Sequence, residues 1–204
     1  MTGQKAKVKT GQKSGPSQVR IIGGQWRGRK LSFEGGNDLR PTLGRTRETL
    51  FNWLRPRIRG ARILDLYAGS GALGFEALSQ GAAHATFVET NGRTIAALKA
   101  SAAKLNINEH CTITQTDALR FLQRMTEPVD IVFLDPPFKA PEHLTQAVTH
   151  LLEHQLVREC LYLESSDQTL IKQLAATPGI STHRQTRSGD AFAGLLEVAQ
   201  QAHF

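Results

Sequence analysis

Apolar positions recur along this 204-residue chain in two rhythms. From Arg62 onward, short runs rich in β-branched and aromatic residues alternate with stretches in which apolar residues return every three or four positions. The short runs predict strands over Arg62–Leu66, Ala85–Glu89, Thr112–Gln115, Ile131–Leu134, Cys160–Glu164, Ser181–Gln185 and Phe192–Val198. The stretches between most of them predict helices over Ala72–Gln80, Thr94–Leu105, Ala118–Met125, Glu142–Leu152 and Gln168–Leu174. Such alternation builds a parallel sheet with helices on both faces, because a parallel crossover needs a long connection. The last two runs have only Ser188-Gly189-Asp190 as a turn between them, so the final strand is expected to run antiparallel. The expected fold class is α/β, with a seven-stranded Rossmann-like sheet.

Before Arg62 the pattern differs. "VRIIGGQWRGRKLSF" reads as a hairpin of Val19–Ile22 and Arg27–Phe33 broken at Gly-Gly. Pro41 and Thr42 are expected to open a loop, and Leu50, Phe51 and Leu54 lie at helical spacing within Thr46–Leu54, which Pro56 ends. Three segments result: a low-complexity basic tail over 1–18, an extension over 19–60 and an α/β domain over 61–204.

Charge sharpens that division. Residues 1–60 hold 14 Lys/Arg against 3 Asp/Glu, whereas residues 61–204 hold 11 against 15. A positive surplus at one end suits a segment that grips a polyanion while the rest does other work. Its apolar runs are too short to span a bilayer and the N-terminal lysines precede no apolar signal segment, so a cytoplasmic location is expected. Cys111 and Cys160, far apart in sequence, are expected as reduced thiols.

Ligands of open α/β sheets lie beyond the carboxyl ends of the strands. Acidic residues stand at four successive predicted strand ends: Asp65, Glu89, Asp117 and Asp135. Asp65 opens "DLYAGSGALG", whose GSGALG matches a dinucleotide-binding turn, with Glu89 spaced to hold a ribose diol. A carboxylate beside that turn repels a pyrophosphate, however, and suits a ligand with an ammonium and a sulfonium, such as S-adenosyl-L-methionine. The fourth strand ends in "DPPF", Asp135 to Phe138. Two prolines fix the backbone and display carbonyl acceptors rigidly. A nucleobase amine is a poor nucleophile with a delocalised lone pair. Acceptors on its hydrogens, here the Asp135 carboxylate and Pro136 carbonyl, would aim that lone pair at a methyl donor while Phe138 stacks on the base.

"RIIGGQWRGRKL", "RPTLGRTRETLFNWL", "DLYAGSGALGFEALSQGA", "FVETN" and "DPPF" together resemble the RsmD family of bacterial 16S rRNA guanine-N2 methyltransferases. The resemblance implies a class I methyltransferase fold with a small N-terminal extension, S-adenosyl-L-methionine as donor, and guanine 966 of 16S rRNA as target. It also implies a substrate already assembled into the small ribosomal subunit. Direct in-line transfer by a monomeric enzyme without a metal is expected. Carried onto this chain, Asp65, Tyr67, Gly69 and Gly71 belong to the donor site, and Glu89 holds the ribose. Asp117 and Ala118 meet the adenine; Asp135, Pro136 and Phe138 present the base to the donor. Arg27, Arg29, Lys30, Arg40, Thr42, Arg45 and Arg47 are the RNA-facing candidates. Family members often carry Thr-Asp after "RPT", whereas this chain has Leu43-Gly44, so that expected loop tip is assigned no contact.

Chemistry leaves three rivals standing: an adenine-N6 methyltransferase acting on DNA or RNA, a nucleic-acid-binding module with a vestigial donor pocket, and a nicotinamide-dependent oxidoreductase. His150 and His154, one helical turn apart, read as a solvated helix face and not as metal ligands. Trp53 reads as core, while Trp26 among arginines suits core packing and RNA stacking equally.

Overall fold

The computed structural model describes residues 17–33, 42–136 and 141–199. Arg40, Phe138 and most of the basic tail lie outside the described residues, and of Thr42 only the backbone is described. In chain order the elements are β1 (Ser17–Arg20), β2 (Lys30–Phe33), α1 (Thr42–Leu54), β3 (Arg62–Asp65), α2 (Ala72–Ser79), β4 (His84–Glu89), α3 (Gly92–Leu105), β5 (Cys111–Gln115) and α4 (Ala118–Leu122). They continue with β6 (Val129–Leu134), α5 (Pro141–Glu153), β7 (Val157–Ser165), α6 (Gln168–Ala175), β8 (Ile180–Ser188) and β9 (Ala191–Val198).

The main sheet has seven strands in the order β5-β4-β3-β6-β7-β9-β8. Strands β3 to β7 run parallel to one another, and β9 pairs antiparallel with both β7 and β8, as the turn at Gly189 predicts. Strand side chains alternate between faces, which sorts the apolar residues into two cores. Ile63, Phe133 and Tyr162 pack under α1, α2 and α3. Leu64, Val132, Leu161 and Leu163 pack under α4, α5 and α6. Being covered on both faces, β6 and β7 read as nearly unbroken apolar runs.

The segment before Arg62 departs from its sequence reading in detail. Strand β1, Ser17–Arg20, lies two residues before the expected Val19–Ile22 and takes in the last two residues assigned to the tail, and β2 is shorter than Arg27–Phe33, beginning at Lys30. Residues between them form a tight loop, closed by Ile21 N–H to Arg29 O and Gly28 N–H to Ile21 O, both 2.9 Å. Helix α1 begins at Thr42, so Leu43-Gly44 is its first turn and not a loop tip. Leu50, Phe51 and Leu54 of α1 are buried in the same core as Ile63 and Phe133, with Phe51 edge-on to Phe133 at 6.1 Å. The extension thus supplies the third helix on that face of the sheet.

One acid holds the extension there. Glu76, midway along α2, is 0 % exposed. Its carboxylate accepts from Ile22 N–H (2.8 Å), Gly23 N–H (2.7 Å) and Gln80 Nε2 (2.8 Å). The Arg47 Nε stands 3.8 Å away, and Arg47 Nη2 donates to Arg20 O at 2.5 Å. At the end of α2, Ser79 O accepts from Gln25 N–H, and Ser79 Oγ accepts from Trp26 N–H while donating to Gly23 O. Gly24 makes the approach possible: its φ is +74°, and a Cβ there would lie 1.8 Å from Ser79 O. Trp26 packs half-buried against this core, as does Trp53.

Glu76→Ala is expected to cost about 3–5 kcal/mol, because it leaves Arg47 a buried cation without its counter-charge and two N–H groups without acceptors. Gly24→Ala is expected to cost at least about 1–3 kcal/mol from backbone strain, with the Ser79 clash in addition. Urea unfolding checks both, and a Glu76→Ala chain as stable as the parent would refute the anchoring role.

Candidate functional site

The parallel register gathers the predicted acids along one edge. β3 ends at Asp65, β4 at Glu89, Asp117 lies two residues past the end of β5, and Asp135 follows β6 directly. Since these strands adjoin in the order β5-β4-β3-β6, the four residues line the carboxyl edge of the sheet. Tyr67, Gly69 and Gly71 in the β3–α2 turn, Ala118 opening α4, and Pro136 lie at that same edge.

Asp65 has a structural role at this edge. Helix α2 has no side-chain cap, because the residue before it is Gly71 in a left-handed conformation. Asp65 Oδ2 supplies the missing acceptor to Gly74 N–H at 3.0 Å in the first turn of α2. Gly74 is tolerated for its size: a Cβ there would fall 2.3 Å from the Phe87 ring. Burial pushes the Asp65 carboxyl up to about 7, opposed by the Gly74 bond and reinforced by Glu89.

Glu89 closes the Gly-rich turn from the neighbouring strand. Its Oε2 accepts from Gly69 N–H at 3.0 Å, and its Oε1 accepts from Thr90 N–H (2.7 Å) and Asn91 N–H (2.8 Å). Asp117 caps α4, its Oδ1 accepting from Leu119 N–H (3.0 Å) and Arg120 N–H (3.1 Å). The Tyr67 hydroxyl is buried and has no hydrogen-bond partner among the described residues. Burial, and then the charge of Asp117, push its phenol up to about 12. An orphaned hydroxyl at the Gly-rich turn fits a polar ligand that completes it.

Asp135 is half-buried, and Pro136 is buried beside it. Burial, then the charges of Glu164 and Asp65, hold the Asp135 carboxyl well above the usual carboxylate range. Glu164 is a member of the site that the sequence reading passed over. It lies near the end of β7, is 6 % exposed, and accepts a 2.5 Å hydrogen bond from the Tyr162 hydroxyl. The signal was available: the predicted fifth strand also ended on an acid. Glu76 was passed over as well, although it is the one Asp, Glu, Lys or Arg between Asp65 and Glu89.

The expected RNA-facing residues do not gather at this edge. Arg27, Arg29 and Lys30 are exposed, but their loop docks at the C-terminal end of α2, about 12 Å along that helix from the Gly-rich turn. Arg45 is exposed on α1. Arg47 is corrected outright: it is 7 % exposed and pairs with Glu76, so it serves the core and is closed to RNA. Burial holds its guanidinium below the ordinary arginine value, partly offset by Glu76. His150 also departs from its reading, since its ring is half-buried and lies 3.1 Å from Leu122 O, joining α5 to α4. Cys111 and Cys160 are both free thiols. A groove of about 340 Å³ between β5 and α4 adds the exposed Arg120 and Arg124 near Asp117.

A family model described as conserved hypothetical protein 95 matches residues 19–196. The chain is 43 % identical over 191 residues to ribosomal RNA small subunit methyltransferase D of Escherichia coli, covering 92 % of this chain and 94 % of that protein. Its identity to the protein of the same name from Haemophilus influenzae is 40 % over 181 residues, covering 82 % and 92 %. Among solved structures, a methyltransferase designated yhhF from Escherichia coli superposes with a TM-score of 0.81 at 39 % identity, covering 91 % of this chain and all of that one.

Asp65 keeps its proton in the folded chain to about pH 7, whereas an unfolded aspartate releases it near 3.8. Folding therefore binds a proton between these values, and stability falls as pH rises through that window, by on the order of 4 kcal/mol. Asp65→Asn keeps an acceptor for Gly74 and removes the titration. Urea unfolding is expected to show the variant matching the parent at acid pH and exceeding it above neutrality; parallel pH dependences would contradict this.

Proposed function

The chain belongs to the family described as conserved hypothetical protein 95, the RsmD methyltransferases, and from that we propose that it moves the methyl group of S-adenosyl-L-methionine to N2 of a guanine in 16S rRNA. By the family resemblance the target is guanine 966 of the assembled small subunit, and the enzyme works as a cytoplasmic monomer. Among the described residues no helix is long and apolar enough to cross a membrane.

The observation that carries this reading is the composition of the site. The charges that raise Asp135 are those of Glu164 and Asp65, and Glu89 adds to Asp65, so carboxylates face carboxylates. A ligand bearing an ammonium and a sulfonium relieves that repulsion; a pyrophosphate would worsen it. When bound, the donor supplies an electrophilic methyl carbon. In this reading Asp65 and the backbone of Gly69 and Gly71 hold its methionine end. Glu89 takes the ribose hydroxyls, Asp117 and Ala118 the adenine, and the unpaired Tyr67 hydroxyl a polar atom between them.

Guanine offers N1–H and N2–H side by side, and a carboxylate presents two acceptors to match. The Asp135 carboxylate and the Pro136 carbonyl would hold those hydrogens and leave the N2 lone pair aimed at the methyl carbon, with Phe138 stacked on the ring. Adenine would set its N1 lone pair against the same carboxylate, which favours guanine over the adenine-N6 alternative. Arg27, Arg29, Lys30, Arg45 and the tail over 1–18 form the polyanion-gripping part, and residues 61–204 carry the chemistry.

Labelled donor supplied with small subunits, naked rRNA or DNA, followed by nucleoside mapping, is expected to yield N2-methylguanine from subunits. N6-methyladenine, or no label on any substrate, would sink the proposal. Phe138→Ala is expected to lower turnover by roughly tenfold or more through lost stacking, and Asp135→Ala by about 10²–10³-fold. Removing residues 1–16, which leaves β1 whole, is expected to weaken RNA binding and flatten its salt dependence; an unchanged salt slope would leave the tail without that role.

A further inference from the structure

The residue beside Asp135 is itself an acid. β6 and β7 run parallel with Leu134 opposite Leu163 as the last pair of the ladder, and Asp135 and Glu164 each follow that pair by one residue. Parallel neighbours lie about 4.8 Å apart. The two-residue period puts Asp65 above Ile63, Asp135 above Phe133 and Glu164 above Tyr162, all on the face covered by α1 and α2. On the other side of β7, β9 brings Ala193 opposite Glu164, and β8 brings Thr186 opposite Ala193. No counter-charge arrives from those strands at this level. The charges acting on Asp135 are Glu164 and Asp65, and the group acting on Glu164 is the Tyr162 hydroxyl. Tyr162 is 0 % exposed and locked edge-on against Phe133 at 6.3 Å, so its 2.5 Å bond fixes the Glu164 carboxylate in place.

With the donor reading above as premise, we propose that Asp135 and Glu164 share one proton in the free enzyme, release it when a sulfonium is seated, and take it back from the guanine amine after transfer. Two carboxylates side by side, Glu164 buried and Asp135 half-buried, resist ionising together without a cation, and the proton belongs to the pair. Glu164 is then the partner that leaves Asp135 available as an acceptor only once the donor is present. The step balances. The carbon–sulfur bond breaks with its electron pair left on sulfur, giving a neutral thioether, while the N2 lone pair forms the new carbon–nitrogen bond. Sulfur has lost its positive charge, N2 has gained one, and N2 passes a proton to the Asp135–Glu164 pair. The proton released to solvent at donor binding is the one proton of the overall reaction.

The test compares two ligands that differ at sulfur. The full chain is titrated calorimetrically with S-adenosylmethionine and with S-adenosylhomocysteine, in buffers of low and high ionisation heat near neutral pH. Both carry the ammonium that faces Asp65, so any proton tied to that group cancels. The expected result is that the sulfonium ligand releases more protons, by up to about one per site, and that Glu164→Gln abolishes the difference. In single-turnover methylation the acid limb of the pH profile should move to lower pH in Glu164→Gln. It should move to lower pH, by less, in Tyr162→Phe, because Glu164 without that bond holds the proton more readily and leaves Asp135 ionised. Equal proton release by the two ligands in the parent chain overturns the shared proton, as do unmoved acid limbs. If neither ligand binds the parent chain, the donor reading itself fails, and this proposal with it.

Discussion

A single buried carboxylate decides how the molecule is joined. Glu76 sits in the middle of α2 with no exposure, and it satisfies two backbone N–H groups of the hairpin loop and faces Arg47 of α1. Arg47 in turn reaches the backbone of β1 at Arg20. Three elements of the extension therefore converge on one side chain of the sheet domain. Since α1 also covers Phe133, the extension is held by charge at one end and by apolar packing at the other.

The site depends on that arrangement indirectly. Helix α2 begins at the Gly-rich turn and ends against the hairpin loop, so the same eight-residue rod carries Asp65's hydrogen bond at its first turn and the loop's anchors on its later turns. Its position relative to β3 and β4 sets the shape of the turn, through Asp65 on one side and Glu89 on the other. The acids at the strand ends thus build the scaffold on which they stand. Each of Asp65, Glu89 and Asp117 accepts backbone N–H groups, which places the carboxylates firmly before anything is bound.

Much of this was legible in the residue pattern. Seven strands, their alternation with helices and the antiparallel last strand followed from apolar runs bounded by turn residues, because buried parallel strands have little freedom to be anything but apolar. Strand ends were readable for the same reason: an acid at the end of such a run marks where the core stops. What escaped was set by tertiary partners. Arg47 looked like its exposed neighbour Arg45, and only the packing of α1 on α2 turns it inward toward Glu76. Glu164 resembled a solvated strand end until Tyr162, two residues earlier and on the same face, was seen to hold it. Thr42 was assigned to a loop because Pro41 precedes it, yet proline is compatible with a helix start.

The hairpin loop's anchors also impose an order of events. Ile22 waits for a partner 54 positions later in the chain, and Trp26 for one 53 positions later. At translation rates of about 5–20 residues per second, several seconds separate the synthesis of this loop from that of its dock. The hairpin loop is therefore made before its dock and seated only after α2 exists. Until then its arginines emerge unpaired beside the RNA of the machine that is making them.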